Sequence, residues 1–388
     1  MVAAVRAGAS LRSVARRFAV GLRTVQRWVD RAGDARLDRV DWSDRSRAPH
    51  RVRRTDPAVE IEVLELRRGL REESVLGEYG AAAIRGVLVE RADPNVVVPS
   101  LRTIGRILER RGALDARRRI RRPAPPPGWY LPAVADRRVE LDEIDVIEGL
   151  RLKGGFDFDV LTAISLHGGL CGAWQAPPVR WSVVVGALVD HWRVHGLPGY
   201  AQFDNDTRFA GSHGYTDFVS PVMRLCLGLG VTPVFAPPRE TGFQAAIESF
   251  NGRWQAKLWS RVWVDDLAEL QARSLAYVEA SRHRSAARIE GAPTRAAFPT
   301  DWQFDRRTDQ PGRIVYLRRT DDRGAARLLG RSFDVDRLWP HRLVRAEVDL
   351  GAGLIRFFAL RRREPADQPL LREVAHRLGR PTRIRRLP

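Results

Sequence analysis

Cysteine is nearly absent: Cys171 and Cys226 are the only two in 388 residues. That excludes a disulfide framework and a four-cysteine zinc site. Long apolar runs are missing too. None approaches the roughly 20 residues needed to cross a bilayer. The N-terminal stretch MVAAVRAGASLRSVARRF has no continuous apolar segment of the kind a signal peptide carries, so none is expected. Lysine is the third scarcity, with Lys153 and Lys257 its only instances. No P-loop and no Ser-His-Asp pattern is visible, so no nucleotide cofactor is expected. What remains is a chain long enough to bury its own core and to form roughly two to four domains.

The excess of positive charge is what the chain does have. Lys plus Arg number 66 against 47 Asp plus Glu, a net of +19. Residues 1–131 hold 28 arginines and 16 acids, so +12 of that charge sits in the first third. A basic excess concentrated in this way points to a polyanion, and double-stranded DNA is the expected partner.

Residues 1–40 are expected to form a helix-turn-helix unit. Ser10 is placed to cap the helix that begins LRSVARRF, with Leu11, Val14, Ala15 and Phe18 on one face. Gly21 supplies a turn, and LRTVQRWVDRAG follows with Leu22, Val25, Trp28 and Val29 inward. Arg23, Thr24, Gln26 and Arg27 then face outward as candidate DNA-reading residues. A basic linker over 41–56 leads to a second helical, helix-turn-helix-like module over 57–116. Its helix LRTIGRILERRG echoes the first and offers Arg102, Thr103 and Arg106 to DNA. The run RRRIRR followed by PAPPPG marks 117–131 as a stiff basic linker.

Beyond it strands and helices alternate, which predicts an α/β domain with a mixed sheet over 132–300. Short strands and turns suggest a small β-barrel-like module over 301–365, and 366–388 reads as a basic mobile tail.

Three carboxylates stand out by context. Asp142 follows the strand start Val139-Glu140-Leu141, Asp204 ends the strand Tyr200–Phe203, and Glu248 lies in the helix FQAAIESFNGRW. Helical spacing puts Gln244, Glu248, Asn251 and Gln255 on one face of that helix. Carboxylates that converge repel one another unless a cation neutralises them. Hard divalent ions take oxygen donors, and two such ions about 4 Å apart suit in-line phosphoryl transfer.

At these residues the chain resembles the DDE transposase and retroviral integrase superfamily. The likeness is carried by VELDEIDVIEG, FDNDTRFAG and PPRETGFQAAIESFNG and is strongest over 200–252. Tyr277, His283-Arg284-Ser285 and Gly291-Ala292-Pro293 add a looser match. The resemblance is nearest to bacterial insertion-sequence transposases with an integrase core. It implies a ribonuclease H-like catalytic core in which Asp142, Asp204 and Glu248 bind two Mg²⁺, with Mn²⁺ as substitute. Asn205, Asn251 and Gln244 are assigned supporting roles. Asp145 is the alternative first ligand, with Asp142 preferred because Leu-Asp after the strand start matches better. Between Asp204 and Glu248 lie 43 residues, more than is usual in the superfamily, with 211–221 as the expected insertion. No histidine-cysteine zinc module precedes the core, since His50 has no cysteine near it.

The expected fold is therefore multidomain: all-α helix-turn-helix modules, a central α/β ribonuclease H-like core and a small β module. The expected function is that of a DNA transposase. It would bind terminal inverted repeats and carry out metal-dependent strand cleavage and strand transfer. A homo-oligomer in the bacterial cytoplasm, associated with the nucleoid, is the implied setting. The alternative is a sequence-specific DNA-binding regulator with an inactive integrase-like core.

Overall fold

Ser10 does cap a helix, its hydroxyl accepting from the Ser13 N–H at 3.2 Å. The computed structural model describes residues 1–43, 55–92, 97–114, 126–261, 264–306 and 311–384. Most of the two expected linkers, 44–54 and 117–125, lies outside the described residues. The contacts divide the chain into two units, 1–59 and 60–388.

The first unit holds α1 (Val2–Arg6), α2 (Leu11–Arg17) and α3 (Leu22–Ala32) around Val14, Ala15 and Val25. Two details differ from the sequence expectation. The turn between α2 and α3 takes its positive φ at Ala19 (51°), while Gly21 is extended and caps α3. Phe18 and Leu22, expected inward, are exposed. Three short helices have too little interior to cover every apolar residue that helical spacing puts on one side.

The second unit takes in all but the first three residues of α4 (Pro57–Glu73), then α5 (Ala81–Arg91) and α6 (Leu101–Arg110). Val63, Ile84, Leu88, Ile104, Ile107 and Leu108 form their shared core. The carboxylate of Glu60 is buried and accepts from Arg110 and Arg111, tying the start of α4 to the end of α6.

A short helix, α7 (Pro132–Ala135), leads into β1 (Leu141–Arg151), β2 (Asp157–Ser165) and β3 (Cys171–Ala176). Then come α8 (Trp181–His195), β4 (Tyr200–Phe203), α9 (Thr207–Ala210), β5 (Tyr215–Thr216), α10 (Pro221–Gly228) and β6 (Thr232–Phe235). Three helices follow, α11 (Ala245–Lys257), α12 (Leu267–Arg284) and α13 (Ala286–Glu290). The remainder is strand-rich: β7 (Arg313–Arg319), β8 (Ala325–Leu328), β9 (Arg331–Asp334), β10 (Leu343–Asp349), β11 (Leu354–Ala359), β12 (Leu370–Ala375) and β13 (Thr382–Arg383).

One sheet runs through the unit in the order β12-β11-β10-β7-β6-β4-β1-β2-β3. β1, β2 and β3 pair antiparallel, while β4 and β6 run parallel to β1. One face packs on α8 and α10 through Ile144, Leu188, Trp192 and Met223. The opposite face carries α11 and α12, packed through Ile147, Ile247, Phe250, Trp254 and Leu270. A mixed sheet with helices on both faces, continued by strands, is the α/β arrangement that the alternation of elements predicted.

The strands over 301–365 do not form a separate small barrel, because β7 pairs parallel with β6 (Val234↔Val315, Phe235↔Tyr316) and extends the main sheet. Nor is 366–388 simply a tail: β12 pairs with β11 and β13 with β5. Joining these strands to the sheet satisfies edges that would otherwise present unpaired N–H and C=O groups. The core also begins before 132, since Trp129, Tyr130 and Leu131 are buried.

Candidate functional site

Strand parity decides which carboxylates of β1 can meet which helix. Successive side chains point to opposite faces of a sheet. Ile144 belongs to the core under α8 and Ile147 to the core under α11. Asp142 therefore shares the α8 face, whereas Glu143 and Asp145 share the α11 face. Asp142 is 1% exposed, and its two oxygens accept from Arg295 at 2.8 and 2.7 Å, with Trp192 Nε1 at 3.0 Å. Burial alone would raise its pKa, but the Arg295 charge and hydrogen bonds, with His191 and Trp192, hold it below the usual carboxylate value. Its lone pairs are committed to the protein, on the face away from Glu248. Asp142, expected as the first ligand, is held instead in a buried ion pair with Arg295, and of the two aspartates of β1 it is Asp145 that shares the α11 face.

Asp145 is set by three elements. In the parallel pairing of β1 with β4, Glu143 stands opposite Gln202. Two residues further along the chain lie Asp145, still within β1, and Asp204, the first residue beyond β4. From α11, Asn251 Nδ2 donates to Asp145 Oδ2 at 2.9 Å, while Asn251 Oδ1 accepts from Thr162 Oγ1 at 2.8 Å. Thr162 is the β2 residue paired with Asp145, so the asparagine is oriented from the sheet itself. Burial pushes the Asp145 carboxyl up to about 6; the Val146 N–H pulls it down, and the charges of Asp204 and Glu248 add to the rise. Asp204 is also raised, by burial first, although it accepts from the Asp206 N–H at 2.9 Å. Glu248 sits in the first turn of α11 and is exposed.

Glu143 is a member of this group that sequence reasoning passed over. It is 2% exposed, and its Oε2 accepts from the Ile247 N–H at 2.8 Å, at the start of α11. No side chain from the helix's own N-cap, Gln244, does this work. Glu143 is thus a cap supplied across the sheet. Burial, opposed by the Ile247 and Ala246 N–H groups and reinforced by Glu248 and Asp145, carries its carboxyl to about 7. The only sequence signal was a third acid between two others in LDEID.

That value gives a pH prediction. Because the folded pKa lies above the ordinary one, the stability linked to protonated Glu143 is full below about pH 4 and is lost as pH rises through 7. Glu143→Gln keeps an acceptor for Ile247 and removes the charge. The variant should melt above wild type at pH 8, and the two should coincide at pH 5, as followed by circular dichroism without divalent ions. A deficit at both pH values would count against a Glu143 carboxyl that the fold favours in its neutral form.

The other expected residues are placed as follows. Asn205 faces away from Asp145: its Nδ2 donates to Ala236 O at 2.7 Å and its Oδ1 accepts from Arg318 at 2.8 Å. Gln244 lies at the N-cap, with a buried Nε2 that has no partner among the described residues. Tyr277 is buried near Phe250 in the core, away from the carboxylates of the sheet. Arg23, Gln26 and Arg27 are exposed on α3, and Thr24 is half-buried; Arg27 lies 5.7 Å from the Trp28 ring. Arg102 and Arg106 are exposed on α6, while Thr103 Oγ1 is 3.0 Å from the capping Ser100 hydroxyl. Arg208, not singled out from the sequence, pairs with Asp206 and Glu148 and lies 3.8 Å from Asp159.

Among the described residues, no three His, Cys, Asp or Glu side chains stand close enough to enclose one ion as they are. Like charges without a cation favour separation. The donors on the α11 side of the sheet, and the exposed Glu248 of α11 itself, are nevertheless carboxylates, which suit a hard divalent ion and not a thiophilic one. Among the described residues no helix is long and apolar enough to cross a membrane.

No family model matches the chain. Solved retroviral integrases are among the structures to which the chain is similar, at low identity and low TM-score. One is the catalytic core domain of BIV integrase, at 15% identity and a TM-score of 0.27, covering 36% of this chain and 80% of that one. A second is the HTLV-2 integrase catalytic core domain in complex with magnesium, at 10% identity and 0.26, covering 36% and 81%. The third, from an intasome of simian T-cell lymphotropic virus, covers 71% of this chain and 88% of that one, at 12% identity and 0.30.

Proposed function

We propose that this chain is a metal-dependent polynucleotidyl transferase acting on double-stranded DNA, with Asp145, Asp204 and Glu248 as its metal-holding carboxylates. The observation that carries this is the one-sided placement of Asp145. It lies two residues past the last parallel pair, Glu143↔Gln202, feels the charges of Asp204 and Glu248, faces the helix that bears Glu248, and is oriented by Asn251 at 2.9 Å. The finer proposal is a transposase of the insertion-sequence kind that binds the terminal inverted repeats of its element.

Asp145, Asp204 and Glu248 would hold Mg²⁺, or Mn²⁺ in its place, with two ions per site as the expectation. When bound, such ions lower the pKa of an attacking water or 3′-hydroxyl and stabilise charge on the leaving oxygen. The chain's own residues do the positioning. Asn251 fixes the rotation of the Asp145 carboxylate through a bond anchored on Thr162. Glu143 holds the first turn of α11, and with it the approach of Glu248. Asp206 N–H orients Asp204. Arginines of the N-terminal helices would set affinity through phosphates, and Gln26 and Thr24 on α3 would read base edges. Joining two element ends in one complex calls for a homo-oligomer.

The test is incubation of the full chain with labelled duplex carrying the element's end, with Mg²⁺ or Mn²⁺. Wild type should nick the end and join it to target DNA, while Glu248→Gln should bind and do neither. Binding without cutting by both proteins under either metal would leave the regulator in its place.

A further inference from the structure

An open cavity of about 830 Å³ adjoins the Asp204 strand end, with Asn205 in its wall. That volume falls in the range of small-ligand pockets. Its lining brings aromatic rings and arginines together: Tyr215, Phe218, Tyr316, Arg318 and Arg327, with His213 at the rim. The wall is completed by Ile384, just after β13, which pairs with β5; the Ile384 N–H donates to Gly214 O at 2.7 Å.

The cations are the informative part. Arg318 is half-buried, and every acceptor it uses is neutral: Asn205 Oδ1 at 2.8 Å, Leu317 O at 2.8 Å, Arg327 O at 3.0 Å and Ala236 O at 3.3 Å. Its guanidinium lies 4.9 Å from the Tyr316 ring centre. No carboxylate among the described residues pairs with it. The exposed Arg327 guanidinium likewise makes no hydrogen bond or ion pair with the described residues, whereas the neighbouring Arg319 is neutralised by Glu240. A desolvated cation without a counter-charge is costly unless an anion arrives. Tyr215 is 39% exposed, and its ring lies 6.4 Å from that of Phe218, so aromatic surface is open beside those charges.

We propose that this cavity seats an unpaired nucleotide of the DNA strand leading to Asp204, its base against Tyr215 and Phe218 and its phosphate on Arg318 and Arg327. The inference rests on the DNA-processing function proposed above and adds to it the form of the substrate. Guanidinium groups match phosphate oxygens, and any base can stack on an aromatic face. A base still paired within a duplex offers only its edge in a groove, so the occupant is single-stranded. The longer Asp204–Glu248 spacing acquires a purpose, because 211–221 supplies His213, Tyr215 and Phe218.

The test compares the affinity of the full chain, without divalent ions, for a blunt duplex and for the same duplex with a short single-stranded overhang. A 2-aminopurine in the overhang reports stacking, and deoxyadenosine monophosphate serves as the free nucleotide. Wild type should favour the overhang by about tenfold and quench the 2-aminopurine. Tyr215→Ala and Arg327→Ala should each remove that preference while leaving blunt-duplex affinity unchanged, and Tyr215→Phe should retain it. Equal affinity of wild type for both DNAs, or a preference that survives both alanine variants, overturns the proposal. Arg327-dependent binding of the monophosphate with no discrimination between the two DNAs also overturns it, in favour of a free-nucleotide pocket. Failure to bind either DNA would instead strike at the DNA-processing function itself.

Discussion

Asp145→Asn should abolish the proposed strand cleavage and joining, by about 10²–10³-fold or more, and should do so without lowering the melting temperature. The loss is on the scale of removing one preorganised charge-stabilising group from a reacting centre. The retained stability follows from the surroundings of this carboxyl. Burial and the charges of Asp204 and Glu248 oppose its ionisation, so an uncharged isostere relieves repulsion. The asparagine oxygen can still accept from Asn251. A second readout separates metal binding from chemistry. Mg²⁺ or Mn²⁺ should raise the wild-type Tm, as any ligand of the folded state does, and should raise that of Asp145→Asn much less. An active Asp145→Asn, or one whose Tm responds to metal as wild type does, would remove Asp145 from the site.

Asp142→Asn behaves in the opposite way. It should cost about 3–5 kcal/mol of stability, the scale for breaking a buried ion pair and stranding the partner. Arg295 would keep its charge at a site where its carboxylate partner is 1% exposed, and the Arg295 side chain also anchors Gly196 O at the end of α8 at 2.9 Å. The pH dependence has a definite sign. The folded pKa of Asp142 is depressed, so its contribution is present above the ordinary carboxylate pKa of about 3.9 and is lost as pH falls through the folded value. Denaturant curves of wild type and variant should therefore lie apart at pH 7 and approach one another in strong acid. Whatever protein remains folded should retain Mg²⁺-dependent nicking. A stable but inactive Asp142→Asn would return Asp142 to the metal site.

These paired expectations show where one-dimensional reasoning stops. The strand holding both aspartates was legible in the alternation after Val139, and it forms as β1 over Leu141–Arg151. Which aspartate faces α11 depends on parity relative to packing on either side, and three residues of separation always put them on opposite faces. Ile144 and Ile147 look alike in sequence; only the helices over them tell the faces apart. Glu143 was illegible for the same reason, since its partner is a backbone N–H at Ile247, more than a hundred residues away. Asn251, by contrast, followed from helical spacing with Glu248, and it does reach Asp145.

Sequence alone determined what local chemistry can determine: the basic front third, the capped helix at Ser10, and the alternation of strands with helices. It also located the segments carrying Asp204 and Glu248, because a strand end and a helical face are short-range patterns. Tertiary structure decided everything that depends on which surfaces meet. It joined β7 to β6 instead of closing a separate barrel, brought β12 and β13 out of an expected tail, and paired Asp142 with Arg295 instead of with Glu248. Strand pairing and ion pairing reward contacts between distant residues, and burial sets their strength. Neither quantity is written in the spacing of neighbours.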